Sequence, residues 1–598
     1  MKGFKQKSKN KGFEFKDDNL VKYNKAVNLQ KKGHLNHAAE IYNNLIKNKY
    51  FTENVFLNYA SICQHQNKTK DAIILLKQSI KINPKNFVPF FKMGFILNNI
   101  GRFYEAYPFA QKAIELNPNL WEGYHNLIKI LINLNRPKDA AKYAETAKDL
   151  FLSNHLFNGL LGDIYSNIGD FEKAIYNYKK AISKAPDDDE TIYTYANFLI
   201  GTGKKEEGVY YINRAIKANP YHAISYYLLS TIIDVKKDKE ITGKILNLEA
   251  NNFKAKEDRF TVLFSKAHVF HKLKEYDKSA NYLKQANDLK LSVKPSNINE
   301  IIKLAENIKS KTNLENSFDN SKFNSLRDIF IVGLPRSGST LVESILGMNE
   351  EVHNLGESAI LLNALIESEK SDFSEIDRQY LKYTQNFSSK KLTTNKMLSN
   401  YMHIPHIIAK LEHSKVIYTF RNPLDNILSM YKAKFTGIGN EYSSSLVDSA
   451  TYYIHHFKIM SFYKDKYKEH IYFLNYDNLV NKPNEEIKNL LNWLGFSWKE
   501  NYLKPYENKQ GFFTASNVQV RSPINNKSVG GWKKYPKMME EALQVFKRNN
   551  FDLNSFEKLT WNQLKIYFWN RLKLNNNFNY LNSLKKQKKI EASLVSQY

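Results

Sequence analysis

A repeat of 34 residues constrains the fold of this chain more than any single motif. Gly33, Asn67, Gly101, Asn135, Gly169 and Gly203 stand 34 apart, and five residues after each comes a small one: Ala38, Ala72, Ala106, Ala140, Ala174 and Gly208. Pro84, Pro118, Pro186 and Pro220 keep the same phase, and Leu152 breaks it. The physical reading is a helix pair per repeat. Gly or Asn takes the turn, the small residue lets two helices approach closely, and Pro stops the second helix. The first half of the chain is therefore predicted to be an all-α solenoid.

A further copy, LFSKAHVFHKLKEYDKSANYLKQAN, runs from Leu263 to Asn287. Its Ser279 stands 71 residues after Gly208, two periods plus three, so the register slips between about 231 and 262. Six to eight repeats closing near residue 290 are expected. Tyr42, Phe103, Tyr107, Phe171, Tyr176 and Tyr178 recur at helical spacing, which suits core positions better than a ligand box. The period and its small-residue and Pro positions resemble tetratricopeptide repeats. That resemblance implies a concave groove able to take an acceptor protein or peptide as partner. Residues 291–325 are polar and read as a helix followed by a linker.

Composition adds boundaries. Of 598 residues, 42% are hydrophobic and 25% charged, as in folded soluble proteins, and the length calls for more than one domain. The net charge of +28 is spread as Lys along the chain without a compact basic block, so no nucleic-acid partner is expected. A single cysteine, Cys63, excludes an intrachain disulfide and a Cys-based zinc cluster. The N-terminus, residues 1–18, is a basic tail with no apolar stretch behind it, and no run of about 18 apolar residues occurs anywhere. A cytoplasmic protein without a membrane span is the expectation.

The chemistry lies in the second half. The stretch from Ile329 to Leu341, IFIVGLPRSGSTL, reads as strand, phosphate-cradling loop and helix start. Against the G-x-x-x-x-G-K-[ST] pattern, Gly333 and Gly338 fit, Ser339 takes the Lys position, and the nearest cation is Arg336. Such a loop suits a phosphate but not the triphosphate clamp of an ATPase or P-loop kinase. Strand-like KVIYTF (415–420) and IYFLNY (471–476) then alternate with helical EEIKNLLNWLGF (485–496). That alternation implies an α/β domain with a parallel sheet, its ligand at the carboxyl edge of the strands.

Residues from about 328 to 540 resemble sulfotransferases that use 3′-phosphoadenylyl sulfate (PAPS), and are most similar to the protein-tyrosine sulfotransferase branch. The resemblance implies that Pro335, Arg336, Ser337, Gly338, Ser339 and Thr340 hold the 5′-phosphosulfate, with Arg336 on the sulfonate side. It implies that Arg421 and Ser429, eight apart in FRNPLDNILSMY, bind the 3′-phosphate, and that Tyr476 contacts the nucleotide. Glu357, twenty-one residues after Arg336, falls on the catalytic base; Lys396, after Asn395, and Ser516 fall on groups that stabilise the transition state. Gln519, Arg521 and Lys533 complete the implied cofactor contacts, and no metal is implied.

Taken without the resemblance, Glu357 also suits a solvated helix-start carboxylate, Lys396 a surface cation, Arg421 a strand-end ion pair and Ser429 a helix hydroxyl. His353, His403, His406, His455 and His456 have no spacing that singles out a base. Two positions depart from the tyrosine branch: Ala359 stands where an Arg helps hold the acceptor, and Gly531 precedes Trp532 where a Lys or Arg is usual. The expected organisation is a tail (1–18), a repeat solenoid (19–290), a helix and linker (291–325), a sulfotransferase domain (326–545) and a C-terminal helical extension or tail (546–598). The expected activity is transfer of a sulfuryl group to a hydroxyl, foremost a tyrosine of a recruited protein. A glycan or small-metabolite acceptor, or a non-catalytic repeat scaffold, are the alternatives.

Overall fold

The computed structural model describes residues 18–66, 68–134, 136–311, 326–371, 373–385, 392–411, 413–435, 439–508 and 520–553. Helices come in pairs: Asp18–Lys31 with Leu35–Lys47, Glu53–His65 with Thr69–Ile82, Phe87–Asn99 with Phe103–Leu116, and Trp121–Asn133 with Pro137–Phe151. Then follow His155–Ile168 with Phe171–Lys184, Asp189–Gly201 with Lys205–Ala218, Ala223–Ile232 with Lys239–Leu246, and Lys256–Lys272 with Tyr276–Val293. A further helix, Ile298–Lys311, follows the last pair.

The described periodic glycines and small residues have the roles their spacing suggested, whereas Tyr176, expected in the core, is 63% exposed, and Asn67 and Asn135 lie outside the described residues. Gly169 turns between paired helices at φ +89° and Gly203 at φ +91°; in the last pair Lys274 takes the same turn at φ +66°. Ala38, Ala72, Ala106, Ala140, Ala174 and Ser279 are fully buried where partner helices meet. A Cβ on Gly208 would lie 2.6 Å from the Ile200 side chain, so only glycine fits there. The register slip has a structural cause. In the seventh pair the helices shorten to 10 and 8 residues, and the turn between them is closed by Asp238, whose carboxylate accepts from Asp234 N at 2.8 Å.

By packing, the chain divides into two units: Met1–Tyr195 with Ala359–Glu367, and Ala196–Ser358 with Ser368–Tyr598. The division falls inside the repeats rather than at the linker. The last repeats therefore belong to the unit that carries the sheet. Within the first unit, Asn363 Nδ2 donates to the Leu134 carbonyl at 3.4 Å.

The sheet has five parallel strands, β1 (Asp328–Gly333), β2 (Val352–Asn354), β3 (Leu392–Asn395), β4 (Ser414–Phe420) and β5 (Ile471–Asn475), in the order β2-β3-β1-β4-β5. β1 is central, buried along its whole length, and registered against β4 from Asp328–Ser414 to Gly333–Thr419. Ile329, Ile331 and Ile417 pack against Val342 and Ile345 on one side helix and Ile487, Leu490 and Leu491 on another. That second helix runs Pro483–Leu494: proline opens it, and Gly495 closes it at φ +82°. Among the described residues no helix is long and apolar enough to cross a membrane.

Candidate active site

All five strands deliver a candidate residue at their carboxyl ends. The loop follows β1, Glu357 lies three residues past β2, Lys396 directly follows β3, Arg421 follows β4 and Tyr476 follows β5. Parallel strands open their carboxyl edge to ligands, and here the edge collects residues far apart in sequence.

The loop is held from its neighbours. Gly333 has φ +153°, and a Cβ there would sit 2.4 Å from the Thr419 carbonyl. Gly338 has φ +98° and presses on the Tyr476 ring, where a Cβ would come within 2.3 Å. Ser337 and Thr419 hydroxyls share a 2.7 Å hydrogen bond, and Asn426 Nδ2 donates to the Pro335 carbonyl at 2.9 Å. The helix Ser339–Leu346 starts behind Gly338 with Ser339 and Thr340 buried, so its first N–H groups point at the loop. Arg336 adopts φ +69°, and its Nε donates to Ser429 Oγ at 3.1 Å. Burial, with Arg421 near, draws its guanidinium down to about 10.

On the β4 and β5 side, Arg421 is 4% exposed with its guanidinium 4.7 Å from the Tyr476 ring centroid. Asp425 and Asp477 lie 3.8 Å from it, and it donates to the Ser528 carbonyl at 3.1 Å. Among the described residues its buried Nε has no hydrogen-bond partner, a donor an incoming oxyanion would satisfy. Asp425 accepts from Gly530 N (2.6 Å) and Trp532 N (2.9 Å), which docks the segment after Ser528 onto the arginine. An unused buried donor, a glycine-lined cradle and clustered cations fit a nucleotide with two anionic ends.

On the β2 and β3 side, Lys396 Nζ donates to Glu357 Oε1 at 2.8 Å and lies 4.0 Å from Glu343 Oε2. Lys396 is fully buried, while the Glu357 side chain is 51% exposed, so the pair joins the interior to solvent. Sequence reasoning missed Glu343. It is 1% exposed and accepts from Gly356 N (3.1 Å) and Thr394 Oγ1 (3.2 Å), so it fixes the turn before Glu357 and the end of β3. Burial holds its carboxyl above the usual range against the pull of Lys396. The available signal was a lone acid among the apolar residues of STLVESIL.

The remaining candidates are placed unevenly. Arg521 donates to the Asn508 and Gly201 carbonyls, and Lys533 is exposed on the short turn Gly531–Lys534. Ser516 and Gln519 lie outside the described residues. Of the histidines, His455 pairs with Glu306 at 2.9 Å, and burial pulls His456 down to about 3.

Residues 328–500 match the family model described as Sulfotransferase family, and residues 54–86, 90–120, 157–188 and 260–292 match the tetratricopeptide repeat. The chain carries tetratricopeptide repeats followed by a sulfotransferase-family domain. An uncharacterized protein of Aquifex aeolicus (strain VF5) is 23% identical over 574 residues, covering 89% of this chain and 73% of the relative. Among solved structures, YrrB, described as a TPR protein with an unusual peptide-binding site, is 17% identical with TM-score 0.26, over 32% of this chain and 98% of its own. A thermophilic TPR protein of Thermus thermophilus is 16% identical with TM-score 0.28, over 30% of this chain and 98% of its own. The sulfotransferase-family domain supports a sulfuryl-transfer activity.

Proposed function

We propose that the sheet-bearing half transfers a sulfuryl group from PAPS to an acceptor hydroxyl, foremost a tyrosine of a protein recruited by the repeats. The observation that carries this reading is the Glu357–Lys396 pair at 2.8 Å, set beside the β1 loop on the same sheet edge. The nucleotide supplies the sulfuryl group and leaves as adenosine 3′,5′-bisphosphate. Glu357, half exposed, takes the acceptor O–H proton as the new O–S bond forms. Lys396 holds the Glu357 carboxylate by a 2.8 Å hydrogen bond in the free protein and faces the charge gathered on the equatorial oxygens. Arg336 and the loop N–H groups bind the sulfonate and 5′-phosphate, Arg421 and Ser429 the 3′-phosphate, and Tyr476 the nucleotide. Ser516, Gln519, Arg521 and Lys533 belong to the same proposed site.

Ala359 favours a second reading of the acceptor. An alanine two residues beyond the base offers no cation to an acidic peptide, which widens the choice to a glycan or small metabolite. One experiment separates these. Labelled PAPS incubated with the protein and fractionated host extract is expected to place label in the protein fraction; label confined to glycan or small molecules would move the acceptor. Glu357→Ala is expected to lower transfer by about a hundredfold or more. Transfer close to wild type would remove Glu357 as the base.

A further inference from the structure

Among the described residues, two of the short stretches where the last repeats touch the sheet-bearing domain adjoin the candidate anion site. The first is 431–434, directly after the helix Pro423–Tyr431 that carries Ser429. Asn287 Nδ2 donates to the Tyr431 carbonyl (3.0 Å), His268 Nε2 to the Lys432 carbonyl (2.9 Å), and Lys434 N to the Tyr227 phenol oxygen (3.1 Å). The second is Tyr535, directly after Lys534. Its hydroxyl donates to Ser279 Oγ (3.1 Å) and shares a 2.6 Å hydrogen bond with His271 Nδ1.

The first stretch carries Lys432. Its Nζ lies 6.0 Å from the Tyr535 ring centroid, and the residue is part-buried. Among the described residues, the charges that act on it are all positive: Arg336, Lys534 and Lys272. Lys272 is turned away to the Thr231 and Ile233 carbonyls, whereas among the described residues Lys432 has no such acceptor. An ammonium enclosed among like charges is costly unless an anion arrives to offset it. Tyr227, whose phenol oxygen accepts from Lys434 N, is also near enough to Arg336 to act on its charge.

We propose that the last repeats form one wall of the donor site, where Tyr227 and His268 position Lys432 to act with Arg336 as a second cation for a phosphate- or sulfate-type oxyanion. This rests on the donor reading above only for which molecule carries the anion. Tyr227 and His268 are positioning residues, working through the backbone of 432–434. The repeats on this reading are a part of the site and not a detachable adaptor.

Calorimetry on the full chain tests it with three probes: adenosine 3′,5′-bisphosphate, adenosine 5′-phosphate, and inorganic sulfate added to nucleotide-saturated protein. Loss of one charge-assisted hydrogen bond predicts that Lys432→Met weakens anion binding about tenfold or more. Lys278→Met, at an exposed cation of the last repeat paired with Glu275, is expected to leave binding unchanged. Tyr227→Phe is expected to weaken binding about threefold in the wild type and to add nothing in the Lys432→Met background, since it acts through that lysine. A loss confined to the bisphosphate assigns the anion to the 3′-phosphate, and an equal loss for both nucleotides to the 5′ end. A loss seen only with sulfate assigns it to the acceptor. Lysine-dependent sulfate binding by a protein that ignores both nucleotides would sink the PAPS reading and leave the pocket standing. Wild-type affinity of a folded Lys432→Met variant for all three probes would overturn the proposal, and so would full additivity of the two substitutions for the positioning role.

Discussion

The repeat array and the sheet domain hold their interiors together in opposite ways. In the repeats most fully buried positions are small or apolar, such as Ala38, Ala106, Ala174 and Leu127, and each unit needs only its neighbour. At the carboxyl edge of the sheet several buried residues are charged: Glu343, Lys396, Arg421 and Asp425 are all under 5% exposed. Buried charges add little net stability over apolar packing, but they are expensive to break singly and they fix geometry. The repeats are built for shape and the sheet edge for position.

Glu343→Leu breaks that contrast most severely. The leucine matches the volume but leaves Gly356 N–H and the Thr394 hydroxyl without their acceptor and Lys396 with one carboxylate. A cost of about 3 kcal/mol is expected in denaturant unfolding of the sheet-bearing unit, together with loss of transfer. A variant as stable and as active as wild type would mean that Glu343 positions nothing.

How much was legible in the sequence follows the same divide. The repeats rest on local spacing, so Gly169, Ala174 and Pro186 announced turn, contact and stop by position alone. β4 and β5 were visible as β-branched and aromatic runs, and the loop by its glycines. β2 and β3 were not, because strands of 3 and 4 residues carry too little alternation to stand out. Glu343 was hidden because burial of a charge is decided by strands that arrive later in the chain. Tyr227 and Lys432 were hidden for a stronger reason: no local pattern links a repeat helix to a residue beyond β4. The family resemblance supplied Glu357 and Lys396, and their 2.8 Å contact supports pairing them.

A pair of glycine substitutions sharpens the comparison at smaller amplitude. Gly169 and Gly338 both have positive φ, but a Cβ on Gly169 meets nothing within 4 Å, whereas one on Gly338 strikes the Tyr476 ring. Gly169→Ala should cost about 1 kcal/mol of stability, from backbone strain alone, and leave nucleotide binding intact. Gly338→Ala should carry the same strain and also push Tyr476 away, weakening nucleotide binding about tenfold. Equal effects of the two on binding would show that the loop has slack.

The smallest expected effect is a fraction of a proton. Burial and the neighbouring Arg336, Lys534 and Lys272 draw Lys432 down to about 7, so in the free protein at pH 8 it is mostly neutral. Its folded pKa lies below the unfolded value, so this residue destabilises the ligand-free fold at low pH, and stability rises with pH from about 7 towards 10.5. An oxyanion favours the ammonium, so binding at pH 8 should take up protons, whereas at pH 6 the lysine is already charged. Two buffers of different ionisation enthalpy measure this by calorimetry. His268 and His271, held by burial at about 4 and about 3, stay neutral at both pH values and add nothing. Lys272 and Lys434, each lowered by burial to about 8, titrate in the same window, so the uptake must be compared with Lys432→Met. Uptake that persists undiminished in that variant would place the anion against one of those two lysines instead. The wall contributed by the last repeats would then be closer to Tyr227 and Asp258, the groups that face Lys434, than to His268.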